Sequence, residues 1–171
     1  MHRRLFIGSA AAAAASAATL GLTGCGFALR KAPDFAFTTL YSPLGESSVG
    51  VLLKRQLESS GKVRVVNNQA ALDATGVILD VLGDQRERVV VGYTSSGQVR
   101  ELQLRMRFLF RLRTPQGKEL IPDAEISQQR DLSYNESNAV AKEAEEALLY
   151  RDMQADIVQQ LMRRLGAVNS L

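Results

Sequence analysis

The sequence predicts an α+β fold: a two-layer sandwich with two helices packed on one face of a mixed, mostly antiparallel four-stranded sheet. Three observations predict it. Three segments with β-type alternation follow one another between residues 76 and 134, separated by short turns. An amphipathic helical pattern lies before this block and another lies after it. One face of the strands is strongly apolar, so helices covering that face would form the core and leave the other face open.

The first part of the chain carries the shorter elements. Aromatic and β-branched residues alternate over 35–41, which predicts a first strand. Ser47 or Ser48 can cap a helix, and Gly61 fits the C′ position after it. Residues 63–66 favour a further short strand.

The long strands are predicted at 76–93, 99–113 and 124–134, with turns that contain Gly97 and Gly117. The second strand has the clearest alternation. Its apolar even positions are Leu102, Leu104, Met106, Phe108, Phe110 and Leu112.

A long helix is predicted from about residue 138 to residue 165. At 100° per residue one face collects the apolar side chains of Val140, Ala144, Ala147, Leu148, Val158, Leu161, Met162 and Leu165. Leu149 and Met153 lie one turn apart on the opposite, polar side. They are either scattered exposed apolar residues or a contact for a partner protein.

The start of the chain has the pattern of an export signal. Arg3 and Arg4 precede an uncharged run, which ends in the sequence Leu22-Thr23-Gly24-Cys25. This order resembles a bacterial lipoprotein signal: residues 1–24 would be cleaved, and Cys25 would carry diacylglycerol and palmitate. A retained transmembrane helix is the alternative, but the run consists mostly of small residues. The arginine pair fits Sec or twin-arginine export.

This interpretation divides the chain into a signal peptide (1–24), a lipidated tether (25–33) and a single α+β domain (34–171). The residue after the cysteine is Gly26 and not aspartate, which by analogy with lipoprotein sorting favours the outer membrane. Cleavage would remove Arg3, Arg4 and no acidic residue, so the net charge would fall from +3 to +1. A basic composition therefore does not indicate a nucleic-acid partner.

Residue types exclude several kinds of chemistry. After cleavage no histidine would remain, and Cys25 would be the one cysteine. Disulfides, Cys/His metal sites and His-dependent nucleophilic catalysis are therefore not expected. The densest acids, Glu143, Glu145 and Glu146, are typical of a solvated helix face. We expect no enzyme, no metal and no cofactor apart from the covalent lipid on Cys25.

Arginine accumulates in the second long strand. The odd positions Arg105, Arg107, Arg111 and Arg113 project opposite the apolar side chains. From residue 85 to residue 113 there are seven arginines against two glutamates, and no lysine. The bland interpretation is a solvated sheet face. Because like charges on neighbouring strands repel, we favour an anionic partner such as a lipid headgroup or a phosphorylated glycolipid.

The chain resembles the LptE family of lipopolysaccharide-assembly lipoproteins. The resemblance rests on residues 24–30 (GCGFALR), Arg130, Tyr134-Asn135, residues 141–146 (AKEAEE), Tyr150, Asp152-Met153 and residues 160–165 (QLMRRL). It implies an outer-membrane lipoprotein that faces the periplasm, plugs the lumen of the β-barrel translocon LptD, helps to assemble that barrel, and binds lipopolysaccharide for insertion into the outer leaflet. Within the family's alanine-lysine motif, the lysine that contributes to binding matches Lys142.

The family's basic residue at a hairpin tip has no counterpart in residues 93–97. Whether Arg86, Arg88 or Arg100 takes that role stays open. Lys142 and the four arginines of the second strand are the candidate lipopolysaccharide-binding residues. The alternative functions are a stand-alone envelope lipoprotein that binds an anionic lipid or amphiphile, which would need a deep apolar pocket, and a purely structural assembly factor.

Overall fold

The computed structural model of the chain describes residues 33–43, 47–73 and 76–171. Its sheet has five strands: β1 (Thr39–Tyr41), β2 (Arg64–Val66), β3 (Gly76–Tyr93), β4 (Val99–Arg113) and β5 (Glu119–Ser133). The spatial order is β2-β1-β3-β4-β5. The prediction of four strands is therefore wrong, because the short segment at 64–66 pairs with β1 and completes the sheet.

The sheet is mixed, as expected. β1 runs parallel to both β2 and β3, whereas β3, β4 and β5 form an antiparallel meander. The first strand is shorter than predicted, and β5 begins at Glu119 and not near residue 124. The two hairpin turns contain Gly97 and Gly117, whose positive φ angles of 85° and 93° are conformations that glycine adopts without a steric penalty.

The two helices are α1 (Ser48–Ser59) and α2 (Ala139–Gly166). Helix α1 is capped by the Ser47 hydroxyl, which accepts from the Gly50 amide at 3.1 Å. Gly61 follows this helix with a φ of 68°, and its amide donates to the Glu58 carbonyl, as the sequence predicts. Among the described residues no helix is both long and apolar enough to cross a membrane.

The core lies between the helices and one face of the sheet. All six apolar even positions of β4 are at most 2% exposed. They join apolar side chains of α1 and α2 in one cluster, which includes Leu53, Leu57, Ile157 and Leu161. The alternation in β4 therefore predicts correctly which face of the strand is covered.

The buried face of α2 differs from the prediction in the first half of the helix. Val140 and Leu148 are 83% and 57% exposed, whereas Met153 is fully buried. The second half follows the prediction, with Val158, Leu161, Met162 and Leu165 all buried. Because the sheet twists beneath a 28-residue helix, the stripe that touches it rotates around the helix axis along its length. One averaged face cannot describe such a helix.

Candidate functional site

The arginines of β4 lie on the sheet face opposite the helices, which we call the open face. Side chains that stand directly opposite each other in an antiparallel pair share a face. In register with Arg111 stands Asp80 of β3, and in register with Arg105 stands Glu87. On the other side of β4, Glu125 of β5 is opposite Leu109. Acidic residues therefore reach the open face from both neighbouring strands.

Asp80 joins two of the arginines. Its Oδ2 accepts from Arg113 Nε at 2.6 Å and from Arg111 Nη2 at 3.3 Å. Arg111 Nη1 also lies 3.8 Å from Glu119 and 3.7 Å from Asp123. The hydrogen bond from Arg113 is the main cause that lowers the pKa of Asp80 below its ordinary value, and Arg111 adds to the shift. Both guanidinium groups are thus engaged by carboxylates.

Arg107 makes a two-pronged ion pair. Its Nε and Nη2 each lie 3.1 Å from one carboxylate oxygen of Glu125. This fork geometry is the strong form of the arginine–carboxylate contact, and it lowers the pKa of Glu125. Arg105 differs, because its Nε donates to Gln103 Oε1 at 2.7 Å. Among the residues that the structure describes, no carboxylate pairs with Arg105.

The expectation of a one-signed cationic face is wrong. Beside the four arginines stand six acidic residues: Asp80, Glu87, Glu119, Asp123, Glu125 and Asp131. Counting charges along residues 85–113 misses Asp80 and all of the acids on β5. The open face is a lattice of opposite charges, and like-charge repulsion between its strands is not a reason to require an anionic partner.

Lys142 lies on the first half of α2 and bridges two elements. Its Nζ donates to Glu145 Oε2 at 2.8 Å and to the Ser133 hydroxyl at 3.2 Å, at the end of β5. The side chain is 20% exposed. It lies on the helix and not among the β4 arginines, so the five predicted lipopolysaccharide-binding residues do not form one cluster.

A second cationic site occupies the helix side of the molecule, and its position is not evident in the sequence. We call it the helix-side cleft, a cavity of about 600 Å³ between the start of α1, the outer half of β3 and the first half of α2. Its lining includes Arg86, Arg88, Arg151, Glu143, Glu146 and Tyr150. Arg86 and Arg88 stand opposite the core residues Met106 and Leu104 only because a register shift between Val81 and Gly83 moves the helix-facing side of β3 from odd to even positions. Alternation read from the start of the strand would place them on the open face.

Aromatic rings hold the two arginines of the cleft. The Arg86 guanidinium lies 5.5 Å from the centre of the Tyr150 ring, and that of Arg88 lies 5.6 Å from the Tyr134 ring. Arg86 also donates to Ser48 of α1, and Arg88 Nη1 is 3.5 Å from Glu146 Oε2. Burial is the main cause that raises the pKa of Tyr150, and Glu146 adds to it.

The predicted partner contact of Leu149 and Met153 needs correction. Met153 is fully buried within the core and Leu149 packs against that core. They lie on the sheet-facing stripe of α2, not on its polar side, so a partner could not touch Met153 without opening the core. The predicted lipidation site, Cys25, lies outside the described residues.

Several solved structures with a similar fold are described as lipoproteins. Lipoprotein B from Nitrosomonas europaea is 34% identical, with a TM-score of 0.68 over 84% of this chain and 92% of that one. A minor lipoprotein from Acinetobacter baumannii is 21% identical, with a TM-score of 0.60 over 79% of this chain and 93% of that one. Rare lipoprotein B from Shewanella oneidensis is also 21% identical, with a TM-score of 0.60 over 74% of this chain and 90% of that one. The two lower identities show the fold alone.

These likenesses define the class of protein, a small α+β domain that shares the fold of these lipoproteins. Residues 33–165 match the family model described as LptE, lipopolysaccharide-assembly. The chain belongs to the LptE family, which confirms the resemblance drawn from the sequence, and its role lies in lipopolysaccharide assembly. A comparison with curated proteins gives no match.

Proposed function

We propose that this protein is an outer-membrane lipoprotein that plugs and helps to assemble the β-barrel lipopolysaccharide translocon, with LptD as its barrel partner. In this proposal Cys25 carries the lipid anchor, and the domain faces the periplasm and enters the barrel lumen. The charge lattice of the open face carries the proposal. Lumenal walls of membrane barrels are polar. A sheet face of paired arginines and carboxylates suits such a wall better than an apolar face would.

The same protein would bind lipopolysaccharide through Lys142 and the arginines of β4. Lipid A and core phosphates accept strong charge-assisted bonds from guanidinium and ammonium groups. These bonds would compete with the divalent cations that hold lipopolysaccharide in aggregates. Exposed ion pairs contribute little free energy, so phosphate can replace a carboxylate partner at modest cost. Arg105 has no carboxylate partner to exchange within the described residues, so we expect it to contribute most to phosphate binding among the four arginines.

The test is a triple variant, Lys142→Glu with Arg105→Glu and Arg107→Glu, assayed for binding of purified lipopolysaccharide. We expect at least about a tenfold loss of affinity, because attraction to phosphate becomes repulsion. The matched control carries the same change of charge on and after α1: Lys54→Glu, Arg55→Glu and Lys62→Glu. It should bind like the natural chain. Equal binding by both variants would reject the assignment of these residues.

The rival function, a stand-alone carrier of an anionic lipid or amphiphile, requires a deep apolar pocket for acyl chains. The helix-side cleft is lined by three arginines and two glutamates together with Ser48, Ala147, Tyr150 and Gln154. A second cavity, on and around the open face near Arg105, is lined by arginine, glutamine, glutamate and serine. Charged side chains line both cavities, which favours contact with headgroups or protein over storage of acyl chains.

A further inference from the structure

The outer half of β3 has an edge that no strand covers in the described part of the chain. β1 pairs with β3 over Gly76–Ile78, and β4 occupies the other side of β3. The ladder with β4 is uninterrupted from Gly83 to Val90, between register shifts at Val81/Gly83 and Val90/Gly92. We call Gly83–Val90 the β3 edge. Unpaired backbone groups of a regular strand edge are a template for another strand.

Side chains around the β3 edge are accessible. Residues 84–88 are all exposed, and Val90, Val91 and Tyr93 just beyond are 36%, 46% and 61% exposed. The Tyr150 hydroxyl donates to the Glu87 carbonyl at 3.0 Å, which shows that this carbonyl points away from β4. An added strand would replace this one bond with a backbone bond. The segment therefore combines reachable backbone groups with apolar, β-branched side chains at one end.

The charge next to the β3 edge selects the kind of strand that would fit. Arg86 and Arg88 stand two residues apart on the helix side, at the wall of the helix-side cleft. Arg151 lines the same cleft and forms no ion pair with any described residue. An added strand would place side chains opposite Arg86 and Arg88 two positions apart. Carboxylates at those positions would meet guanidinium groups in a cleft that already holds them against aromatic rings.

A second copy of this chain fits in few registers. A twofold axis through the sheet would pair residues of equal parity across two β3 edges. Centred on Arg86, Glu87 or Arg88, such a dimer sets arginine opposite arginine. Like charges directly opposite destabilise a strand pair. Centred on Gln85 the dimer sets Asp84 opposite Arg86, and the test below therefore includes a dimer among its outcomes.

We propose that the β3 edge is a docking site for an extended segment of a partner protein that adds a sixth strand and carries acidic side chains at alternate positions. Backbone bonds to Gly83–Val90 would supply affinity, as in other strand-addition complexes, and Arg86 and Arg88 would supply selectivity. This inference does not depend on lipopolysaccharide binding, because it uses a different ligand and the backbone and arginines of β3, none of which is among the residues proposed above to bind lipopolysaccharide.

The probe is a synthetic acetylated peptide, Val-Ile-Glu-Thr-Glu-Thr-Lys, which places its two glutamates opposite Arg88 and Arg86 in antiparallel register. We expect it to bind the full-length chain in detergent and to slow hydrogen exchange of alternate amides between Gly83 and Val90. Two N-methylated versions, blocked at odd or at even amides, separate strand pairing from charge attraction. Pairing predicts that one version fails and the other binds; equal binding by both versions overturns the proposal.

Side-chain selectivity is tested in the protein. Arg86→Gln with Arg88→Gln should weaken peptide binding about tenfold or more, whereas the matched double variant Lys54→Gln with Arg55→Gln on α1 should leave it unchanged. Equal losses would overturn the proposal. A concentration-dependent dimer that the peptide dissociates would also overturn it and would assign the edge to a second copy. Protection of the edge by phosphatidylglycerol vesicles, with no peptide binding, would overturn it and assign the edge to lipid.

Discussion

Asp80 is the carboxylate that connects two arginines of the open face. It is the described carboxylate bonded to two arginines of β4, and its side chain is 22% exposed. Because the arginines lower its pKa in the folded state, the folded protein favours the ionised carboxylate. The stabilisation is present above the ordinary pKa of the carboxyl group and is lost as the pH falls through the lowered one.

We therefore predict that Asp80→Asn removes about 1 kcal/mol of unfolding free energy at pH 7 and makes the acid side of the stability profile shallower. The measurement is urea unfolding of both proteins at several pH values from 2 to 7. The difference between the two should shrink as the pH drops below about 4. A difference that stays constant over that range would mean that the ion pairs with Arg111 and Arg113 contribute no linkage.

The four arginines of β4 should not be equivalent in binding lipopolysaccharide. Arg105→Gln is expected to weaken binding about fivefold, because this guanidinium can take a phosphate without leaving a carboxylate. Arg107→Gln should have a smaller effect, since Arg107 must first leave Glu125. Binding titrations with purified lipopolysaccharide compare the two variants. The reverse order would show that the charge lattice does not control access to phosphate.

At the scale of elements, periodicity predicts the strands well and the long helix in part. Strict alternation in β4 predicts both its bounds and its covered face, because every even position meets the same apolar layer. Helix α2 is predicted in extent, but its buried stripe rotates, so Val140 and Leu148 are exposed while Met153 is buried. The sequence also does not predict which charges pair across strands, because that depends on the register between two strands, which the sequence of one strand does not determine.

The rotation of the buried stripe gives a matched pair of variants on one helix. Met153→Ala should lower the unfolding free energy by about 2–4 kcal/mol, because it leaves a cavity in the core. Leu148→Ala should change it by less than about 0.5 kcal/mol, because that side chain is exposed. Chemical denaturation, analysed with one m-value for both variants, measures the two changes in unfolding free energy. Similar losses in the two variants would mean that the stripe does not rotate as described.

At the scale of the whole domain, two parts of the surface are proposed to bind different partners, the open face and the helix side. The open face carries arginines and carboxylates that largely neutralise one another. The helix side carries the cleft with Arg86, Arg88 and Arg151 and the β3 edge beside it. A domain that sits in a polar lumen needs a charged and polar face such as the open face. The helix side leaves room for another protein segment at the β3 edge.

The most direct test of the account is purification of the full-length chain, with its own N-terminal segment, from outer membranes solubilised in mild detergent. If the protein is a plug of the lipopolysaccharide translocon, LptD should co-purify with it in a constant ratio, and the ratio should persist at moderate salt because the barrel encloses the domain. Recovery of the chain from the outer membrane without LptD would contradict the account.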